Sequence, residues 1–432
     1  MSDSTSPAPN VGARAEFTQE AIDCAIAFAL FLIGFWAYGF IDQHAHVAYA
    51  YFVPLADAML HGHLNVVDHP SYMNELVPFR ERWYVVYPPG PALVLLPFVW
   101  MWGPAMNQGS VSILLGGINL MILYFVLRGY GLEQWKRILF TLLYGFGTIF
   151  WFSAQVGTAW HIAQVLGNTF LLLALLETTA GKRAWLMGLF VGCAALSRLP
   201  TLMAFPFFLA FLLHETRRRP EALGTVLDPE TAHTVRFDWR EPIEWRRYAS
   251  KVFQFGALMA VPLMFYLWYN WARFGSPFQT GYTLIPGLLQ EHQYRFGFFS
   301  LHNIGRNLYA LLLSNPRLVD KFPFAQPCKL GGMSILLSTP AFLWAIKARG
   351  WDWLALGGWI SVVLISVPMM LHPDPGGLEF GYRYAMDFYP ILLLLMLRGM
   401  GKRLTFEQGL AIALCFLVNF WGIWAIRTGW WA

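Results

Sequence analysis

Asp42 stands in the stretch Phe40-Ile41-Asp42-Gln43-His44-Ala45-His46, directly after an apolar run that begins at Ala21. A carboxylate at the edge of low-dielectric surroundings has its pKa raised, which suits it to take a proton from a hydroxyl. The bland alternative is a solvated acid that marks a helix end. His44 and His46 are candidates to bind the sugar or acceptor and compete for the base role, and Asp42-x-His44-x-His46 also offers a donor set for a divalent cation.

Arginine supplies the second chemistry. Gly381-Tyr382-Arg383-Tyr384-Ala385-Met386-Asp387 holds Arg383 between Tyr382 and Tyr384, all three candidates to bind the phosphate and lipid of a donor, and a planar guanidinium matches phosphate oxygens in a bidentate fork. An aromatic belt with an arginine reaching toward water reads the same way. Asp387 is expected to pair with Arg383 four residues earlier. Arg198, in Ser197-Arg198-Leu199-Pro200, is a second candidate phosphate ligand, and Arg82 a third, near Tyr87-Pro88-Pro89-Gly90-Pro91. Gln155, Trp160 and His161 lie in one short polar stretch that is suited to a sugar, by stacking on Trp160 and hydrogen bonding to His161.

These residues need a scaffold, and the composition indicates a membrane. The 432 residues are 57% hydrophobic and 13% charged, with a mean hydropathy of +0.46. That charged share is about half of what a soluble domain carries. A span needs about 20 apolar residues. Runs at 21–40, 110–127, 138–154, 160–176, 184–196, 199–213, 252–271, 330–346, 353–371, 385–397 and 410–426 predict about eleven transmembrane helices in an all-α, polytopic fold. The proline-bounded run 92–102 is short, and reads as an interfacial or re-entrant helix in the large first outer loop.

Orientation follows from the basic residues. With 92–102 not crossing, most of the 30 Lys and Arg fall in loops on one side, the cytoplasmic one. Residues 1–20 form a polar tail expected to be disordered and cytoplasmic, and 21–432 a single transmembrane domain with outer loops 41–109, 272–329 and 372–384. The formal charge of +5 follows from this bias and does not point to nucleic acid. Cys24, Cys193 and Cys415 fall in predicted spans and only Cys328 outside, so no disulfide framework is available. Phosphate-binding glycine loops, CxxC pairs and HExxH are absent from the sequence.

In order and spacing, Asp42, Tyr87-Pro88-Pro89-Gly90-Pro91, Leu196-Ser197-Arg198-Leu199-Pro200 and Phe380-Gly381-Tyr382-Arg383-Tyr384 make the chain resemble the GT-C superfamily of membrane glycosyltransferases. Within it, the dolichyl-phosphate-mannose protein mannosyltransferases and aminoarabinose transferases are the relevant kind. The resemblance covers nearly the whole chain. It implies a GT-C-like fold and inverting transfer of a hexosyl or pentosyl group from a polyprenyl-phosphate donor to a hydroxyl of a lipid, glycan or protein. It makes Asp42 the base and has Arg198 and Arg383 hold the departing lipid phosphate. It also implies a bacterial inner membrane, with the active site on the periplasmic or extracellular face. Where many relatives carry a second acid, this chain has Gly157 to His161, so either His161 substitutes or the role is absent, and the metal requirement stays open. One rival class is a structural or accessory membrane protein, and the other is a polyprenyl-lipid or glycan transporter or flippase without transferase chemistry. It would need paired polar residues along a path through several spans.

Overall fold

The computed structural model describes residues 11–41, 49–67, 73, 75–217, 227, 243–320, 324–328, 331–348, 350, 352–376 and 379–427. In chain order the helices are α1 (Val11–Ile41), α2 (Phe52–Leu60), α3 (Gly90–Trp102), α4 (Gln108–Gly129), α5 (Gln134–Phe146), α6 (Phe150–Val156), α7 (Ala159–Thr179), α8 (Ala184–Ser197), α9 (Phe205–Glu215), α10 (Trp245–Phe274), α11 (Ile304–Leu312), α12 (Ile335–Ser338), α13 (Trp353–Leu371), α14 (Tyr389–Met400) and α15 (Phe406–Arg427). Among the described residues six helical stretches are long and apolar enough to cross a membrane: Thr18–Phe40, Gln108–Gly129, Ala159–Thr179, Trp245–Phe274, Trp353–Leu371 and Phe406–Ala425. The pair α5 and α6, bent by 57°, makes a seventh if taken as one broken span.

The remaining expected spans are helical but short or interrupted, each at a residue that breaks the ladder. Arg198 is extended (φ −141°, ψ 100°) and separates α8 from a 3₁₀ turn at Leu199–Ala204. Thr339, non-helical at φ −144° and ψ 70°, splits the expected run 330–346 into α12 and a 3₁₀ segment opened by Pro340. The run at 385–397 begins as a 3₁₀ turn, Arg383–Phe388, before α14. Residues 92–102 do form a short helix, α3.

The expectation of an all-α chain needs a correction. Strands β1 (Leu76–Phe79) and β2 (Arg82–Val85) pair antiparallel in the first outer loop, with Leu76 opposite Val85. Arg80 and Glu81 turn the hairpin at φ 49° and 62°, the double left-handed geometry of a type I′ turn. A second, minimal hairpin pairs β3 (Arg317–Leu318) with β4 (Ala325–Gln326).

Packing is close where side chains are small. Gly188 and Gly192, four apart on α8, face Phe255 and Met259 of α10, and a Cβ at either would collide with a carbonyl oxygen of that helix. Small residues at this interval let two helix backbones approach in a lipid environment, where dispersion rather than water drives association. Buried polar side chains are cross-linked. Asn119 Nδ2 of α4 donates to Thr169 Oγ1 of α7 at 2.8 Å, and Tyr144 OH of α5 donates to Asn168 Oδ1 at 2.8 Å.

Candidate functional site

Gly157 ends α6 in the left-handed region (φ 58°), and a Cβ there would lie 2.6 Å from Gly109 Cα. Only glycine fits this turn, and the turn sets the first residues of α7 against the segment 379–388. His161 Nε2 lies 3.1 Å from a Glu379 carboxylate oxygen, and its Nδ1 lies 2.6 Å from Thr158 Oγ1. Because a carboxylate accepts, the ring proton belongs on Nε2, and Nδ1 receives the threonine hydroxyl. Further along the same helix face, Gln164 Nε2 donates to Arg383 O at 2.9 Å and Asn168 Nδ2 to Met386 O at 3.1 Å. This polar stripe holds the backbone of the 3₁₀ turn.

The turn presents two arginine pairs. Arg383 Nη1 meets Glu379 at 2.8 Å. Arg198 reaches Asp387 through Nε at 3.0 Å and Nη2 at 2.8 Å. The expected pairing of Arg383 with Asp387 is therefore wrong. Residues before Arg383 are extended, with Met333 bridged to Gly381, so Arg383 turns back to Glu379 while Asp387 meets the chain break after α8. The Tyr384 ring lies close to both cations, 5.2 Å from Arg383 Cζ and 5.7 Å from Arg198 Cζ, and Arg383 also sits 5.3 Å from the Trp160 ring. Burial acts to lower the Arg383 pKa, but Glu379 and Tyr384 hold it above its ordinary value. Its Nε is buried without a hydrogen-bond partner.

Glu75, just before β1, completes the cluster. Its N–H donates to Tyr51 OH at 3.3 Å, and the Trp160 indole N–H donates to its carboxylate. Burial pushes its pKa up to about 7, with Arg383 pulling it down and Asp374 and Glu291 pushing it further up. His372, at the end of α13, is driven toward its neutral form by burial; its Nδ1 accepts from Asp374 N at 3.1 Å. Aromatic rings wall the space, with Tyr87 6.3 Å from Trp160 and 6.2 Å from Tyr282.

Of the residues singled out in the sequence, Arg198, Arg383, Tyr384, Trp160 and His161 come together. Tyr382 is buried edge-on to Tyr384 at 5.9 Å. Gln155 lies two residues before Gly157, its Oε1 buried and unpaired. Arg82 is exposed on β2 and joins none of these contacts. Asp42, His44 and His46 lie outside the described residues. Among the described residues no three His, Cys, Asp or Glu side chains gather to hold a metal ion. Glu75, Glu379, Asp374 and His372 were not singled out. Glu379 was findable, being four residues from Arg383; Glu75 carries no local signal beyond being an acid beside an apolar strand.

Two solved structures of an archaeal oligosaccharyltransferase align with most of the chain. The apo structure of the Archaeoglobus fulgidus oligosaccharyltransferase aligns with a TM-score of 0.48 and 11% identity, over 94% of this chain and 55% of that one. The same organism's AglB, in complex with an inhibitory peptide and a dolichol-phosphate, aligns with 0.46 and 11%, over 95% and 56%. This chain therefore spans about half the length of those structures. No protein family's sequence profile matches it, and no curated protein does.

Proposed function

We propose that this chain is a multi-pass membrane glycosyltransferase that moves a sugar from a polyprenyl-phosphate donor to a hydroxyl acceptor at the outer face, with inversion. The observation that carries the reading is that Arg198 and Arg383 both lie against the Tyr384 ring, each guanidinium oriented by a carboxylate. Arg198 has its Nη1 turned from Asp387 and Arg383 keeps its Nε unpaired, so each has N–H donors left for phosphate oxygens. Trp160 offers a ring face on which a sugar can stack, and His161, both ring nitrogens engaged by Thr158 and Glu379, positions Glu379 beside it rather than bonding the sugar itself.

In the proposed reaction the bond from the sugar anomeric carbon to the phosphate oxygen breaks, and its electron pair stays on the phosphate. The acceptor oxygen bonds to that carbon from the opposite face as Asp42 takes the hydroxyl proton. Arg198 and Arg383 stabilise the charge that grows on the leaving phosphate, an effect worth most where water is excluded. In this reading the chain crosses the membrane eleven times, placing 41–109, 272–329 and 372–384 outside.

The test is turnover of a labelled polyprenyl-phosphate sugar by purified protein in a membrane assay. Asp42→Asn keeps the shape and removes the basicity; it is expected to bind donor yet lose transfer by about 10²-fold or more. Near-normal turnover in Asp42→Asn would leave Asp42 a helix-end residue. If His44 or His46 is the base instead, the rate depends on pH near His's ordinary pKa of about 6.5, and its Ala variant loses that dependence.

A further inference from the structure

A second polar cluster lies between α10 and α13. A cavity of about 240 Å³ is lined by Arg295, Arg306, His292, His302, Phe296 and Asn303, among others, and no carboxylate lines it. Arg295 Nη1 donates to His292 Nε2 at 2.9 Å, and the Phe296 ring lies 3.9 Å from the His302 ring and 4.6 Å from Arg295 Cζ. These contacts hold the basic groups together on one surface.

Helix α11 fixes where that surface sits. Asn303 Nδ2 donates to Leu371 O at 2.9 Å, and Asn307 Nδ2 to Met370 O and His372 O at 3.0 and 2.7 Å. Those are carbonyls at the end of α13, where a helix runs out of its own donors. The α11 segment thus covers the end of a candidate span, at the level of the membrane rim. Its open side is largely apolar, with Leu301, Tyr309 and Leu313 77%, 53% and 61% exposed, and Arg306 is exposed among them. A short helix that turns apolar side chains and an arginine outward suits the interface, the arginine reaching along its stem to the headgroups.

We propose that this surface docks an anionic phospholipid, with Arg295 and Arg306 on the headgroup phosphate and Leu301, Tyr309 and Leu313 against the acyl region. Charge complementarity accounts for the phosphate, and the exposed leucines select a lipid over a soluble anion, which has nothing to cover them. The same segment walls the arginine site. Tyr294 and Phe298 pack on the His372 ring at 6.3 and 5.3 Å, and His372 packs on Tyr384 at 6.3 Å. A bound headgroup therefore steadies one side of that site. The inference rests on α13 crossing the membrane and is independent of glycosyl transfer.

The experiment reconstitutes full-length protein in nanodiscs of phosphatidylcholine with a minor share of phosphatidylglycerol, then counts retained lipids by native mass spectrometry. Wild type is expected to retain phosphatidylglycerol in preference to phosphatidylcholine. The Arg295→Gln, Arg306→Gln double variant should lose that preference by about fivefold per arginine. Millimolar inorganic phosphate should displace nothing. Equal retention of the two lipids by wild type overturns the proposal without any variant. So does an unchanged preference in the double variant, and displacement by inorganic phosphate would mark a free-anion site instead.

Discussion

Glu75→Gln isolates the one carboxyl whose titration the site governs most directly. Its pKa rises from 4.5 to about 7, chiefly through burial, and a shift of that size corresponds to roughly 3 kcal/mol between native and unfolded states. The sign follows from proton binding. Below pH 4.5 both states hold the proton; between 4.5 and 7 the native state keeps a proton that the unfolded chain has released. Stability therefore falls as pH rises through that window, and above pH 7 the ionised carboxylate sits in its buried place at full cost. Glutamine mimics the protonated acid and stays neutral. It is expected to equal wild type near pH 5 and to exceed it by about 1–3 kcal/mol at pH 8, the lower bound allowing for a weaker hydrogen bond from Trp160. The assay is thermal unfolding of both proteins in the same detergent, followed by tryptophan fluorescence at half-unit steps of pH. Taking the difference between the two curves cancels the histidines and the other carboxylates. A difference that does not change between pH 5 and 8 refutes the reasoning, because Glu75 would then titrate as an ordinary exposed acid.

Arg383→Ala is expected to weaken binding of polyprenyl phosphate by roughly 10-fold or more and Arg383→Lys to restore only part, since lysine keeps the charge and loses the fork; equal affinity in wild type and alanine variant would leave Arg383 structural. Arg198→Met strands Asp387, which is 1% exposed, and should cost about 3–5 kcal/mol of stability, most of it recovered by adding Asp387→Leu; thermal unfolding of the single and double variants decides it. Gly157→Ala must place a Cβ against Gly109 and should cost at least about 1 kcal/mol of backbone strain and lower donor binding, because the turn sets Trp160 and His161; unchanged unfolding and binding would show that the turn adapts. For topology, an impermeant thiol reagent in intact cells should label a single cysteine at position 290 and spare one at 230, and the reverse would sink the proposed orientation.

The long helices were legible because crossing a bilayer demands about 20 apolar residues in a row, and few other folds would supply such runs repeatedly. Thr18–Phe40, Gln108–Gly129 and Ala159–Thr179 fall where those runs fall. The break at Ser197-Arg198-Leu199-Pro200 was legible too, since proline disfavours helix before it. The hairpin at 76–85 was hidden because Arg80-Glu81 is a poor signature for a turn that usually takes Asn-Gly. The 57° bend between α5 and α6 was hidden because Gly147-Thr148 interrupts an apolar run without changing its composition.

At the site, reading arginine as a phosphate ligand left out what holds it when no phosphate is there. Arg383 is 8% exposed, and a guanidinium that far from water needs a carboxylate or several acceptors. Local spacing offered two acids to Arg383, Glu379 and Asp387, each four residues away. Helical periodicity favours neither, so the choice had to come from tertiary structure: Gln164 on α7 holds the Arg383 carbonyl, and Arg198 claims Asp387. One long-range pair thus decides a short-range one. Two ion pairs beside Tyr384 then leave both cations fixed before any ligand arrives, and a group already held in place spends less of its binding free energy on ordering. That is the physical reason to assign both arginines to one task rather than to two unrelated structural pairs.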